Sequence, residues 1–185
     1  MLRDAGAEPV EVRRAEHLAG LDGLIIPGGE STTIGKLMVS YGLLEPVREM
    51  IDDGRPVWGT CAGMILLARD IGGLRQPLIG VLDVKVQRNA FGRQLDSFET
   101  DLSMPEIGDS PLHTVFIRAP LVESAGPGVQ VLGRLEDGTI VAVRQDNLLA
   151  TSFHPELTND PRFHEYFLRM CGAPTVRDEA AAPPV

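Results

Sequence analysis

The chain has 185 residues, 43% of them hydrophobic, and a formal net charge of −9, with a pI of about 4.9 and a mean hydropathy of +0.02. That is enough to bury a core, reads as one domain over residues 1–172, and is too acidic to offer nucleic acid a binding surface. Apolar runs such as Met64–Ala68 are too short to span a membrane, no signal peptide opens the chain, and the two cysteines, Cys61 and Cys171, form neither a disulfide framework nor a zinc pattern, which fits a reducing, cytoplasmic setting with no metal or cofactor.

Met1–Ala5 reads as the last turn of a helix, closed by Gly6. Val10–Arg13 alternates like a short strand. Leu24–Pro27 is a continuous apolar run ending in Pro-Gly-Gly, as in a buried parallel strand. Ser31-Thr32-Thr33 caps a helix carrying Ile34, Leu37 and Met38 at helical spacing, and Leu43–Asp53 forms a second helix closed by Gly54. Pro56–Thr60 is a strand feeding Cys61, and Ala62–Asp70 is the helix leaving it. Alternation of this kind predicts an α/β fold with a mostly parallel sheet flanked by helices.

The middle changes character. Val81–Val86, Thr114–Ile117, Gln130–Leu135, Thr139–Arg144 and Leu148–Ser152 read as strands, the last three joined by short turns, and suit an antiparallel extension. Pro161–Met170 is a final helix with Phe163, Tyr166, Phe167 and Met170 on one face. The tail 173–185 has the composition of a disordered segment.

Three motifs carry chemistry. Gly59-Thr60-Cys61-Ala62-Gly63 has the form of a nucleophile elbow with sulfur in place of oxygen. The glycines permit the sharp turn, and the following helix aims free N–H groups at the sulfur, which favours thiolate. His154-Pro155-Glu156 lies past a strand; Pro155 biases His154 to an extended conformation, so that Glu156, two residues on, points the same way and can orient the imidazole. Gly28-Gly29-Glu30-Ser31 sits between strand and helix, where backbone N–H groups can hold an anion or oxyanion. A phosphate loop ending in Gly35-Lys36 is excluded, because it requires Gly and Ser/Thr where Glu30 and Leu37 stand. Cys171 has no partner motif. Arg88, Arg93 and Arg118, at strand ends, are candidates to grip a carboxylate, and composition does not choose among them.

Five segments together resemble a known family: Pro27-Gly28-Gly29-Glu30-Ser31-Thr32-Thr33; Gly59-Thr60-Cys61-Ala62-Gly63; Arg88-Asn89-Ala90-Phe91-Gly92-Arg93-Gln94 with Ser97-Phe98-Glu99; Phe116-Ile117-Arg118-Ala119-Pro120; and Ser152-Phe153-His154-Pro155-Glu156-Leu157-Thr158. The chain resembles the glutaminase subunit of pyridoxal 5′-phosphate synthase, a class I (triad) glutamine amidotransferase. The resemblance implies a three-layer, flavodoxin-like α/β fold. It implies Cys61, His154 and Glu156 as the triad, Gly29 and Ala62 as oxyanion donors, and Gly29, Glu30, Ser31, Arg88, Ile117 and Arg118 around L-glutamine. It also implies a lyase partner, the synthase subunit, in a large hetero-oligomer, with glutaminase activity raised by docking. The N-terminus departs from the family, whose members begin with a strand and a full helix. The expectation is a longer native protein that retains activity. The alternatives are an impaired short form that only binds its partner, or an amidotransferase subunit serving another pathway.

Overall fold

The computed structural model describes residues 1–88 and 97–172. Arg93, the rest of the arginine motif from residue 89 to 94, and the tail expected to be disordered lie outside the described residues. The start is a single helical turn. The Ala5 N–H bonds the Met1 carbonyl at 2.9 Å, the Gly6 N–H that of Arg3 at 3.1 Å and the Ala7 N–H that of Leu2 at 3.0 Å. With Gly6 at φ +88°, this is the helix-ending pattern read from the sequence.

Among the described residues four α-helices, α1 (Ser31–Ser40), α2 (Leu44–Asp52), α3 (Ala62–Leu67) and α4 (Arg162–Met170), accompany ten strands. The strands are β1 (Leu24–Ile26), β2 (Val57–Thr60), β3 (Ala68–Asp70), β4 (Leu82–Gln87), β5 (Ser97–Leu102), β6 (Leu112–Ile117), β7 (Leu121–Ala125), β8 (Gln130–Arg134), β9 (Ile140–Gln145) and β10 (Leu148–Thr151). The main sheet runs β1-β2-β10-β9-β7-β4-β3, with β8 on β9; β5 and β6 form a separate hairpin. The pairs β1/β2, β2/β10 and β3/β4 are parallel. The extension through β9, β7 and β8 is antiparallel, as its short turns imply.

Several sequence expectations are corrected. Val10–Arg13 is not a strand. Its alternation suits extended backbone, but a strand needs a partner edge, and β1, at the end of the sheet, pairs with β2. Val10 and Val12 instead wall an apolar groove of about 1130 Å³ with Leu24, Ile34 and Leu37. The helix after Cys61 stops at Leu67, because Ala68 turns to extended backbone and its strand joins β4. Helix α1 is capped by Glu30 rather than by Ser31: the carboxylate accepts from the N–H groups of Thr32 and Thr33. Strands β3, β5 and β7 were not foreseen.

Period-2 alternation splits the core into two layers. Val57, Leu148 and Ala150 join Met64, Leu66 and the apolar faces of α1 and α2 in one. Trp58 and Leu149, their chain neighbours, join Phe163 and Phe167 of α4 and Phe116 of the hairpin in the other. In that second layer Phe163 is fully buried, with ring centroids 5.7 Å from Trp58 and 5.3 Å from Phe153. Phe153 in turn lies 5.6 Å from Phe116. These rings lock α4 and the hairpin to the strand ends that carry His154. Phe163→Ala is expected to lower stability by about 3–5 kcal/mol, read as a fall in the urea unfolding midpoint at unchanged slope.

Candidate active site

Parallel strands in an open α/β sheet present ligands at their carboxyl ends, and β1, β2 and β10 are adjacent and parallel. Beyond β1 comes Pro27-Gly28-Gly29, beyond β2 comes Cys61, and three residues beyond the end of β10 comes His154. Topology thus gathers segments that are far apart in sequence.

The elbow is strained as its motif implies. Cys61 has φ 48° and ψ −104°, a region that costs an L-residue about 1–3 kcal/mol. The turn is held on all sides. The Cys61 N–H bonds the Thr151 carbonyl at 2.7 Å, and the Cys61 carbonyl accepts from Met64 at 3.1 Å. A Cβ on Gly63 would sit 2.2 Å from the Ile26 carbonyl oxygen, and one on Gly59 would sit 2.4 Å from the Gly63 carbonyl carbon. Only glycine lets α3 lie this close to β1 and β2. The buried Trp58 Nε1–H bonds the Thr151 hydroxyl at 3.2 Å and ties β2 to β10 beneath the turn.

His154 is placed by its own N–H, which bonds the Val115 carbonyl at 2.8 Å. Its Nδ1 meets Glu156 Oε1 at 2.7 Å. The contact is the one read from the sequence, but its geometry differs. Pro155–Leu157 is a 3₁₀ turn, so the carboxylate curls back to the ring rather than projecting alongside it from extended backbone. The other side of the ring faces the cysteine. The hydrogen bond with Cys61 and, next, that with Glu156 push His154 up to about 10, so the imidazolium is its neutral-pH form. Burial raises the Glu156 carboxyl, but the bond from His154 and lesser contributions outweigh it and hold the group below its ordinary value. Burial and then Asp22 push the Cys171 thiol the other way, up to about 11, leaving it protonated at neutral pH.

Gly28 was part of a motif, but its own part was not foreseen. A Cβ there would lie 2.5 Å from His154 Cε1 and 3.5 Å from Cys61 Cβ, so the bare backbone is packed against both members of the pair. The signal was present in the sequence: a turn after β1 needs one glycine at positive φ, which is Gly29 at +140°, and the second glycine calls for another reason. Ile117 and Arg118 close the far side. The Cys61 sulfur lies 3.9 Å from the Ile117 carbonyl oxygen, and Arg118 sits at φ 44° with its side chain exposed.

Glu30, Ser31 and Arg88 form a polar cluster directly after Gly29. Bonds from the Thr33 hydroxyl and the Thr32 and Thr33 N–H groups lower the Glu30 carboxyl to about 2. It is therefore a fixed anion, and Arg88 Nη2 approaches it at 3.1 Å. Ser31 is buried, with its hydroxyl turned 3.2 Å from Gln76 Oε1. Gln76, which lies in a loop without a motif, was not foreseen at all. Gly29 is exposed and Ala62 is buried, each at the entry to a helix, where first-turn N–H groups lack intrahelical partners. Among the described residues no cluster of three or more His, Cys, Asp or Glu could hold a metal ion.

Such a site defines a class: an α/β protein with a cysteine–histidine–carboxylate constellation at its strand ends, suited to nucleophilic attack on an acyl carbon. Comparison with known proteins gives the family. The sequence matches the SNO glutamine amidotransferase family over residues 1–173, and the chain belongs to that family. It is 60% identical to pyridoxal 5′-phosphate synthase subunit PdxT of Moorella thermoacetica, covering 92% of this chain and 90% of that one. It is 56% identical to the subunit of the same name from Herpetosiphon aurantiacus, covering 92% and 91%. A crystal structure of a glutamine amidotransferase superposes with a TM-score of 0.88 at 54% identity, over 93% of this chain and 90% of that one.

The His154 ring, followed by NMR across pH, is expected to lose its proton near pH 10 rather than near its ordinary 6.5. Because the folded value lies above the unfolded one, the stability this group contributes is complete below about pH 6.5 and lost as pH rises through about 10. Cys61→Ala removes the largest cause and is expected to move the titration down towards 6.5. Gly28→Ala is expected to move it in the same direction by pushing the ring off the sulfur.

Proposed function

We propose that this chain hydrolyses L-glutamine to glutamate and ammonia and passes the ammonia to the synthase subunit of pyridoxal 5′-phosphate synthase. The observation that carries the reading is the Cys61–His154–Glu156 arrangement in a member of a glutamine amidotransferase family. Cys61 attacks the side-chain amide carbon of glutamine. His154, oriented by Glu156, holds the thiol proton and delivers it to the departing ammonia. Backbone N–H groups at Gly29 and Ala62 face the oxyanion. Water, deprotonated by His154, then attacks the thioester and releases glutamate and the thiol.

Around this centre Gly29, Glu30, Ser31, Arg88, Ile117 and Arg118 hold the substrate. Arg88 and Arg118 are the cations at hand for its α-carboxylate, and the Glu30 anion suits its α-ammonium. High identity to subunits named for pyridoxal 5′-phosphate synthase supports a synthase partner in a hetero-oligomer. Two free cysteines fit a cytoplasmic setting. Among the described residues no helix is long and apolar enough to cross a membrane.

Mixed with the synthase subunit, the chain is expected to release ammonia from glutamine. Cys61→Ala is expected to abolish release while leaving docking intact, and Glu156→Gln to lower turnover by about 10²–10⁴-fold. Full turnover by Cys61→Ala would refute the assignment.

A further inference from the structure

Gln76 stands where Ser31 and Arg88 of the candidate substrate site meet Thr32. Its Oε1 lies 3.2 Å from the Ser31 hydroxyl, 3.0 Å from the Thr32 hydroxyl and 3.1 Å from Arg88 Nη1. A guanidinium only donates, so the Gln76 oxygen, not its nitrogen, must face Arg88, which fixes the orientation of the amide. The price of that orientation is visible: Nε2 is buried without a hydrogen-bond partner among the described residues, a cost that folds retain where a polar group has a task.

The loop that carries Gln76 is clamped. Arg48 of α2 bonds the Leu78 carbonyl at 2.8 Å and the Ile79 carbonyl at 2.9 Å. The Ile79 N–H bonds the Leu66 carbonyl at 2.8 Å, at the end of α3. Gly35 of α1 packs so close that a Cβ would lie 2.6 Å from the Pro77 carbonyl oxygen. Gln76 is thus presented from a rigid base, whereas Arg88 follows the last residue of β4 and must be aimed.

We propose that Gln76 is a positioning residue for glutamine binding: with Glu30 it holds two edges of the Arg88 guanidinium and turns its remaining donors towards the substrate carboxylate. This rests on the glutaminase reading given above. Arg88 Nη1 is engaged by Gln76 and, at 3.4 Å, by Thr32, and Nη2 by Glu30. Among the described residues the rest of the five-donor fork has no partner and is left for a planar anion. With the oxygen of Gln76 removed, Glu30 and the long 3.4 Å contact with Thr32 would be left to hold the head, and the guanidinium would swing about the Glu30 contact. Binding would weaken, while Cys61 and His154, which Gln76 does not touch, would keep their chemistry.

The test titrates L-glutamine by calorimetry into the complex of the full chain with its synthase subunit, in a Cys61→Ala background that stops turnover. Gln76→Met, which keeps length and volume but loses the acceptor, is expected to weaken binding about tenfold. Gln76→Glu, which restores an acceptor, is expected to return affinity to within about threefold of the parent. With Cys61 intact, Gln76→Met is expected to raise KM about tenfold with kcat nearly unchanged. Unaltered affinity in Gln76→Met would overturn the proposal. So would a loss that Gln76→Glu fails to recover, or a fall confined to kcat, since each marks a structural role only. Failure of the Cys61→Ala parent itself to bind glutamine would instead overturn the glutaminase reading, and the proposal with it.

Discussion

Everything in the site depends on one strained residue. Cys61 holds a backbone conformation that an L-residue adopts only when its surroundings impose it. The imposing contacts are the parallel ladders of β2 with β1 and β10, the bond from the Cys61 N–H to Thr151, and the close seat of α3 against Ile26 that Gly63 permits. The strain has a use. A relaxed turn would lay the side chain along the strand; this one projects the sulfur over the strand ends, where β10 delivers His154 and β1 delivers Gly28. The cost of about 1–3 kcal/mol is comparable with burying one large aliphatic side chain, and two core layers around Val57 and Trp58 offset it readily.

Charge at the site is arranged in two compartments that share the Gly28–Glu30 loop. In the first, His154 is held as the imidazolium by its hydrogen bond with Cys61 and, next, by that with Glu156. In the second, Glu30 is kept anionic by the helix it caps and answers Arg88. Glu30 therefore does structural and electrostatic work at once: its oxygens close the first turn of α1 and anchor the guanidinium. Gly28 lies at the junction, packed against the pair, so the loop that positions Glu30 is the same loop that abuts the histidine. The cysteine–histidine pair and the Glu30–Arg88 cluster thus adjoin through three consecutive residues rather than across the protein.

The sequence was informative where local chemistry is strict. Glycines at 59 and 63 admit few explanations other than close packing about a turn, and Pro155 between His154 and Glu156 marks a fixed geometry. Even there the contact forms differently from the extended arrangement its spacing implies, because Pro155 opens a 3₁₀ turn. It was less informative where partners decide. Val10–Arg13 alternates as a strand should and yet has no ladder, whereas Ser97–Leu102, mostly polar, is a strand because β6 lies beside it. The apolar run Met64–Ala68 fits a helix throughout, and only the edge of β4 ends it at Leu67. Gln76 could not be read at all: a lone amide in a Gly- and Pro-containing loop acquires meaning only when Ser31, Thr32 and Arg88 converge on it.

The central claim is that the strained elbow makes Cys61 the atom that carries the acyl group. Rapid mixing of the assembled complex with radiolabelled glutamine, acid quenching on the timescale of turnover, and mapping of the labelled peptide test it directly. The account expects a transient glutamyl thioester on the peptide containing Cys61, formed and lost at rates consistent with ammonia release. Steady turnover with no label on that peptide, or with label on another residue, would contradict it.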